Sequence, residues 1–517
     1  MPIVQQGAIN TTALVVPDLY VQIVPPQALL LNGVPTDIVG VVGTASWGPV
    51  GEPTVIGSMS DYAAAFGQVM ARKYDMGTQV ATAVQQGAAN FRCVRVTDGT
   101  DTAASLSLLG AVVFTAIYTG SAGNDLTLTL SSGSAVNSWR LTVALPGQSP
   151  EVFDNIVGSG AAFWQNVANA VNTGNGVLRG PSRLVVASAQ SVDATPVAGV
   201  YLFASGTPGS DGANGVNAAA LVGSDALPRR GMYALRSQGC AITLLADTDD
   251  STQWSVQMEF GLSESTYMIL TGPAGDTIEN AVVVKGEAGV DSYAAKMMFG
   301  DWVYWFDQTN SVTRLVSPQG FVAGRLANLS PEQSSLNKPL YGVVGTQKSG
   351  QPGGATATSY ASADLEALLS AGIDVIANPQ PGGTYWGVRG GHNSSSSAAT
   401  NGDNYTRLTN YIAATLQAGM GGYVGQLVNA TLFQNIRATL LAFLNGLLQQ
   451  GMLGSTDGSV PFAVVCDVNN NPVSRTALGY VQADVQVRYQ AINEKFIVNV
   501  QGGQTVQVSV QTVPASA

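Results

Sequence analysis

Only 55 of the 517 residues carry a full charge, 33 Asp and Glu against 22 Lys and Arg, and this deficit limits what the chain can be by itself. The charged share of 11% is under half the ~25% usual for soluble chains, and the 60 glycines exceed the usual ~7%. A compact monomer of 53.2 kDa exposes about 17,800 Å², which leaves roughly 320 Å² per charge where an ordinary composition gives about 140 Å². Such a surface is expected to be covered in large part by other protein. The length suggests roughly three domains at ~150 residues each, with a core large enough to need no staples, which excludes small disulfide scaffolds.

The sign of the remaining charge excludes another class. A net charge of −11, a pI near 4.5 and the absence of any basic run argue against direct nucleic-acid binding, which needs clustered Lys and Arg. Cys93, Cys240 and Cys466 lie far apart in apolar surroundings and read as buried thiols in a reducing compartment. The first residues lack the pattern of a secretion signal. The best membrane candidate, residues 430–448, is broken by Gln434, Asn435, Arg437 and Asn445, so no membrane insertion is expected. The expectation is a soluble protein made in a cytoplasm.

Periodicity predicts a multidomain chain of α/β and α+β type. Residues 1–24 read as an arm with an edge strand over 13–24, since Pro17 bars a central position; Leu19, Tyr20, Val21 and Ile23 would do its pairing. Residues 25–98 and 213–348 read as one discontinuous α/β domain. Its strands fall at 38–42, 91–96, 241–246, 267–271 and 302–306, and its helices at 60–66, 77–89, 254–264 and 292–298. The Ser/Thr/Gly-rich stretch 99–212, with alternating runs at 126–130 and 139–143 and a helix at 161–171, reads as a β-rich insertion. A linker at 349–359 leads to a third unit, 360–494, with helices at 362–370, 405–416 and 432–450 and strands at 462–466 and 480–488. The last segment, 495–517, reads as a strand with Phe496, Val498, Val500, Val506, Val508 and Val510 on its apolar face. Both end strands need partners, inside the chain or on a neighbour.

Catalytic signatures are weak. The one histidine, His392, lies in a Ser-rich loop and reads as a residue without a role; a His triad or two-His metal site has little to draw on. There is no G-x-S-x-G elbow and no C-x-x-C. The run Gly342 to Ser349 resembles a phosphate loop, but Gln347 stands where glycine is required. Asp467-Val-Asn469-Asn-Asn471 begins like a calcium loop, yet Pro472 and Leu478 replace the turn glycine and the bidentate acid, so an Asn-rich turn between strands is expected. Asp247, Asp249 and Asp250 follow a strand, where α/β enzymes place carboxylates; the plainer reading is a solvated turn and helix cap. No cofactor, no metal and no enzymatic activity are expected.

Several segments in order carry a resemblance. Pro17-Asp-Leu-Tyr20-Val, Ile38-Val-Gly40-Val-Val-Gly43 through Trp47-Gly48-Pro49 to Pro53, and Ser58-Met-Ser-Asp61-Tyr62 to Phe66-Gly67 resemble the opening of tail sheath proteins of contractile bacteriophage tails and related bacteriocins. Tyr118-Thr-Gly120 to Asp125, Ser210-Asp211-Gly212, Asp301-Trp-Val-Tyr to Gly324, Trp386-Gly387-x-Arg389, Gly451-Met-Leu-Gly454 and Phe462 to Asp467 continue that similarity through nearly the whole chain. The chain departs from the family's pattern at Gly390-Gly391-His392 and at Asp18-Leu19.

The resemblance implies a homopolymer of stacked hexameric rings around an inner tail tube, with baseplate and tail terminator proteins as further partners. It implies assembly in the bacterial cytoplasm and residence in the virion tail. It places the C-terminal unit inside, the β-rich unit outside, and both end strands on neighbouring subunits. Gln434 and Arg437 are the candidate tube contacts. The alternatives are the sheath of a type VI secretion-like or bacteriocin particle, and a tail-associated hydrolase using the Asp247 cluster.

Overall fold

The computed structural model describes residues 3–6, 20–23, 31–176, 179–350 and 358–500. Its centre is a seven-stranded sheet in the order Ile373–Asp374, Ala295–Met298, Tyr267–Thr271, Ile242–Leu245, Val39–Gly43, Phe91–Arg95 and Thr54–Ile56. Neighbours run parallel except the Thr54–Ile56 edge. The runs VGVVG, ITLL and YMILT are buried along their whole length, as strands covered on both faces must be. Successive side chains feed two different cores. Tyr267 and Ile269 join a cluster with Val80, Phe321 and Leu326, whereas Met268 and Leu270 join one with Trp254, Phe260 and Ala281.

Helices Met76–Gln85 and Gln319–Ala327 cover the first face. They meet at Gly324, where a Cβ would lie 2.4 Å from the carbonyl oxygen of Ala83, so only glycine allows the approach. Trp254–Glu264 and Ile278–Glu287 cover the other face. The segment 292–298, predicted as a helix, contains the strand Ala295–Met298 instead. Ala and Met favour helix locally, but a slot between two parallel strands overrides that propensity. The helix lies earlier, at Ile278–Glu287, where the Thr277 hydroxyl caps it by accepting the Asn280 N–H at 3.2 Å.

Val39–Gly43 lies directly beside Ile242–Leu245, and the residues between them include a second, antiparallel structure. Four strands run in the order Glu151–Ile156, Trp139–Ala144, Thr127–Ser132 and Gly199–Leu202. Three more run in the order Val185–Ala189, Val112–Ala116 and Ser105–Leu108. Alternate residues turn inward, packing with helix Gly160–Thr173 around Phe114, Leu128, Phe153 and Trp164. Arg95 ties this part to the central sheet. Its guanidinium is buried and donates to the carbonyls of Gly48, Thr119 and Asp211.

Toward the C-terminus, helices Asp403–Gly419 and Ala430–Gln449 precede a two-stranded sheet. The first helix is fixed to the central sheet by charge. Lys296, on the strand Ala295–Met298, is fully buried between Asp374 (2.7 Å) and Asp403 (3.0 Å). Asp403 opens helix Asp403–Gly419 and also accepts from the Tyr267 hydroxyl at 2.6 Å, the Ser335 hydroxyl and the Ser335 N–H. Burial works against the charge on Lys296, but the two carboxylates outweigh it and hold its pKa above the ordinary value. Burial likewise opposes ionised Asp403, and Lys296 with the two hydroxyls holds it below the usual range.

A second buried acid caps helix Met76–Gln85. Asp75 accepts the Thr78 N–H at 2.8 Å and hydroxyl at 2.7 Å, yet burial raises its pKa to about 7. The folded chain therefore binds this proton more tightly than the unfolded chain. Its stabilising effect is full below pH ~4 and is lost as pH rises through about 7.

Two measurements check these centres. Lys296→Met leaves two carboxylates buried without a cation and is expected to lower unfolding free energy by about 3–5 kcal/mol, read by denaturant melts. The unmutated chain is expected to lose up to ~4 kcal/mol of stability between pH 4 and 8, and Asp75→Asn to flatten that decline.

Candidate assembly interface

The two-stranded sheet pairs Phe462–Val465 antiparallel with Asp484–Val487, Phe462 lying opposite Val487 and Val465 opposite Asp484. One side packs Val464, Val485 and Val487 against Ile436, Leu440 and Phe443 of helix Ala430–Gln449. That helix starts where Asn429 accepts the Leu432 N–H at 2.9 Å, and its buried residues recur at helical spacing from Leu432 to Leu447. Among the described residues each strand has one ladder neighbour, so both outer edges carry unpaired backbone groups.

The connection between these strands contains the Asn-rich turn anticipated at 467–471, followed by the short helix Val473–Thr476. Asn470 accepts the Asp467 N–H at 3.0 Å and donates to Asp484 at 2.9 Å. Asn471 exchanges hydrogen bonds with the Gln482 backbone in both directions. Those amides tie the two strands' connection together.

Of the residues expected to pair with neighbours, Tyr20, Val21 and Ile23 lie on strand Tyr20–Ile23, whose partner in this chain is the parallel strand Ile3–Gln6. Leu19 lies outside the described residues. Phe496, Val498 and Val500 are 82%, 62% and 84% exposed and belong to no ladder; Val506, Val508 and Val510 lie outside the described residues. The chain thus does not bring its own end segments to the Phe462–Val465 sheet among the described residues. Gln434 and Arg437 share the exposed stripe of helix Ala430–Gln449 with Thr431, Ala442 and Asn445, a stripe whose one charge is Arg437.

The remaining chemical candidates resolve into structural contacts. Asp247 is not a solvated turn residue, as expected from its neighbours. It is buried with φ +50° and accepts the Tyr74 N–H at 3.2 Å and the Gln79 side chain at 2.8 Å; burial raises its pKa. A polar triplet after a strand gave no hint that the chain would cover its first member. Asp249 pairs with Lys73 at 2.9 Å, and Asp250 caps the turn before Trp254–Glu264 through the Thr252 N–H. Lys348, of the phosphate-loop look-alike, pairs with Asp364 at 3.0 Å. The three cysteines are buried and free. Among the described residues no cluster of three or more His, Cys, Asp or Glu is placed to hold a metal ion, and no helix is long and apolar enough to cross a membrane. His392, read as idle, lies 2.8 Å from Glu494.

No protein-family model matches the chain, and no curated protein matches it by sequence. Solved structures do. The sheath tail protein of Desulfitobacterium hafniense aligns at TM-score 0.57 and 17% identity, over 87% of this chain and 93% of that one. That of Listeria innocua aligns at 0.58 and 15%, over 85% and 90%. The sheath of an extracellular contractile injection system, PVC, in its contracted state aligns at 0.55 and 13%, over 96% and 99%. The chain has the contractile-sheath fold. That fold spans the central sheet, the antiparallel segment and the C-terminal helices together.

Proposed function

We propose that this chain is the structural subunit of a contractile tail sheath, a helical sleeve of identical copies around an inner tube, without enzymatic activity. The observation that carries this reading is the pairing of the sheath fold with a two-stranded sheet whose two outer edges have no ladder partner among the described residues. Strands from neighbouring copies fit those edges. Residues 19–23 and 496–510 are the segments assigned to them, and a ladder of main-chain hydrogen bonds lets subunits rotate past one another without separating. The surface supports the same reading, since only 11% of the residues carry a charge.

In this arrangement the C-terminal helix Ala430–Gln449 and its two-stranded sheet face the tube, with Gln434 and Arg437 as the contacts, while Ile373–Asp374 stays in the central sheet and the β-rich segment 99–212 faces outward. The rings are hexameric, and baseplate and terminator proteins close the two ends of the stack. Contraction that adds 500 Å² of apolar burial per junction releases on the order of 12 kcal/mol before opposing costs, so no nucleotide is required. A second reading, the sheath of an injection particle without a capsid, is favoured by the PVC likeness; nucleic acid co-purifying with intact particles separates the two.

Purified protein is expected to form striated hollow tubes in negative-stain images, and a chain lacking residues 1–24 to remain as monomers or short stacks. Normal tubes from the truncated chain would refute strand donation by that end, and no tubes from either would refute the sheath reading.

A further inference from the structure

The buried charges that join the central sheet to helix Asp403–Gly419 have the parts of a bond-forming centre. Lys296 Nζ lies 2.7 Å from Asp374 Oδ2 and 3.0 Å from Asp403 Oδ1, and none of the three side chains is more than 1% exposed. Lys296 and Asp374 stand on neighbouring parallel strands, Ala295–Met298 and Ile373–Asp374, so the sheet's own ladder keeps amine and carboxyl in contact. Asp403 reaches them from the first turn of its helix. Lys285, the other buried lysine among the described residues, meets a carbonyl oxygen instead, that of Ser394 at 3.1 Å.

The two carboxyl groups are held differently. Asp374 sits on a platform of backbone N–H groups. Val375 and Gly390 donate to Oδ1 at 2.9 and 2.7 Å, and Gly391 and His392 donate to Oδ2 at 2.8 and 3.3 Å. The His392 carbonyl in turn accepts from Lys296 at 2.8 Å, which fixes the amine. Donors set in place around a carboxyl group stabilise the oxyanion that forms when a nucleophile adds to its carbon. Asp403 is surrounded by groups that can pass a proton, the Tyr267 hydroxyl at 2.6 Å and the Ser335 hydroxyl. One acid is thus arranged as an electrophile and the other as a proton carrier, both against the same amine.

We propose that the folded chain closes an amide bond between Lys296 Nζ and Asp374 Cγ, an internal crosslink between two strands of the central sheet. The Nζ–Cγ bond forms and the Cγ–Oδ2 bond breaks, while Oδ1 carries the transient negative charge against the Val375 and Gly390 N–H groups. Of the three protons on the ammonium group, one stays on the amide nitrogen and two leave with Oδ2 as water, one of them by way of Asp403 Oδ1. Nothing is oxidised or reduced, and no co-reactant is needed. In water this step is opposed, because an ammonium and a carboxylate are better solvated than an amide. Here both ions are already stripped of water, and the amide removes two charges from a low-dielectric interior. The ion pair is the starting state, and because its amine is protonated the bond forms slowly, after folding has assembled the three groups. A single folded copy suffices, so the crosslink does not depend on the sheath reading.

Mass spectrometry of the full chain, incubated folded for days and then denatured, tests the crosslink. The unmutated chain is expected to lose one water, about 18 Da, and its digest to contain a branched peptide joining the fragments that hold Lys296 and Asp374. The same chain kept in denaturant is expected to retain its full mass. In Asp403→Asn, compared once its circular dichroism matches that of the unmutated chain, conversion is expected to slow about 100-fold. Full mass in the folded, unmutated chain would overturn the crosslink, whatever the variant does. So would a lost water traced to a single unbranched peptide, or a branch that ends on Asp403. An unchanged rate in the folded variant would overturn the proton-carrying role of Asp403.

Discussion

Lys296, enclosed between Asp374 and Asp403 without access to water, is the constraint on which the rest of the arrangement depends. Its strand belongs to the central sheet, Asp374 to the sheet's edge strand, and Asp403 to the first turn of the helix leading into the C-terminal unit. Separating these elements would strand a charge in a low-dielectric interior, which costs far more than sliding apolar surfaces apart. Sheet and helix must therefore move as one body. Any change of shape falls to the segments with fewer buried contacts, and the exposed stretch after Glu494 is the clearest of these.

That division suits an assembling subunit. In the proposed sheath, rigid bodies would carry force, backbone ladders would keep neighbours joined, and a sparsely charged surface would make burial against other copies favourable. The carboxylates that an enzyme reading would recruit make structural contacts: Asp247 holds the Tyr74 backbone and Gln79, and Asp249 pairs with Lys73. Even the platform under His392 derives from the same buried charges, through Asp374 and Lys296. One electrostatic centre thus sets both the joint between units and the position from which the C-terminal segment leaves.

Much of the fold was legible in the sequence because its strongest signals are local. Continuous apolar runs gave Tyr267–Thr271 and the strand around Ile242, a Ser/Thr-rich alternation gave the antiparallel segment, and helical spacing gave Trp254–Glu264 to the residue. Ala295–Met298 was misread because four residues of Ala, Lys and Met carry no strand preference, and only the slot between two neighbours imposes one. The burial of Asp247 and the contact of His392 with Glu494 were illegible for the same reason, since each joins residues far apart in sequence. Of the two end strands expected, Tyr20–Ile23 is present, Phe496 to Val500 form no strand, and residues 501–517 lie outside the described residues; alternation names a need for a partner without naming the partner.

The central claim is that copies of this chain complete one another's C-terminal sheet. A helical cryo-EM reconstruction of the polymer formed by the purified protein tests it most directly. Density for strands of two neighbouring copies running beside Phe462–Val465 and Asp484–Val487, so that the two-stranded sheet becomes four-stranded, is the predicted result. Both edges bare in a well-ordered polymer, or filled by the same copy's own ends, would contradict it.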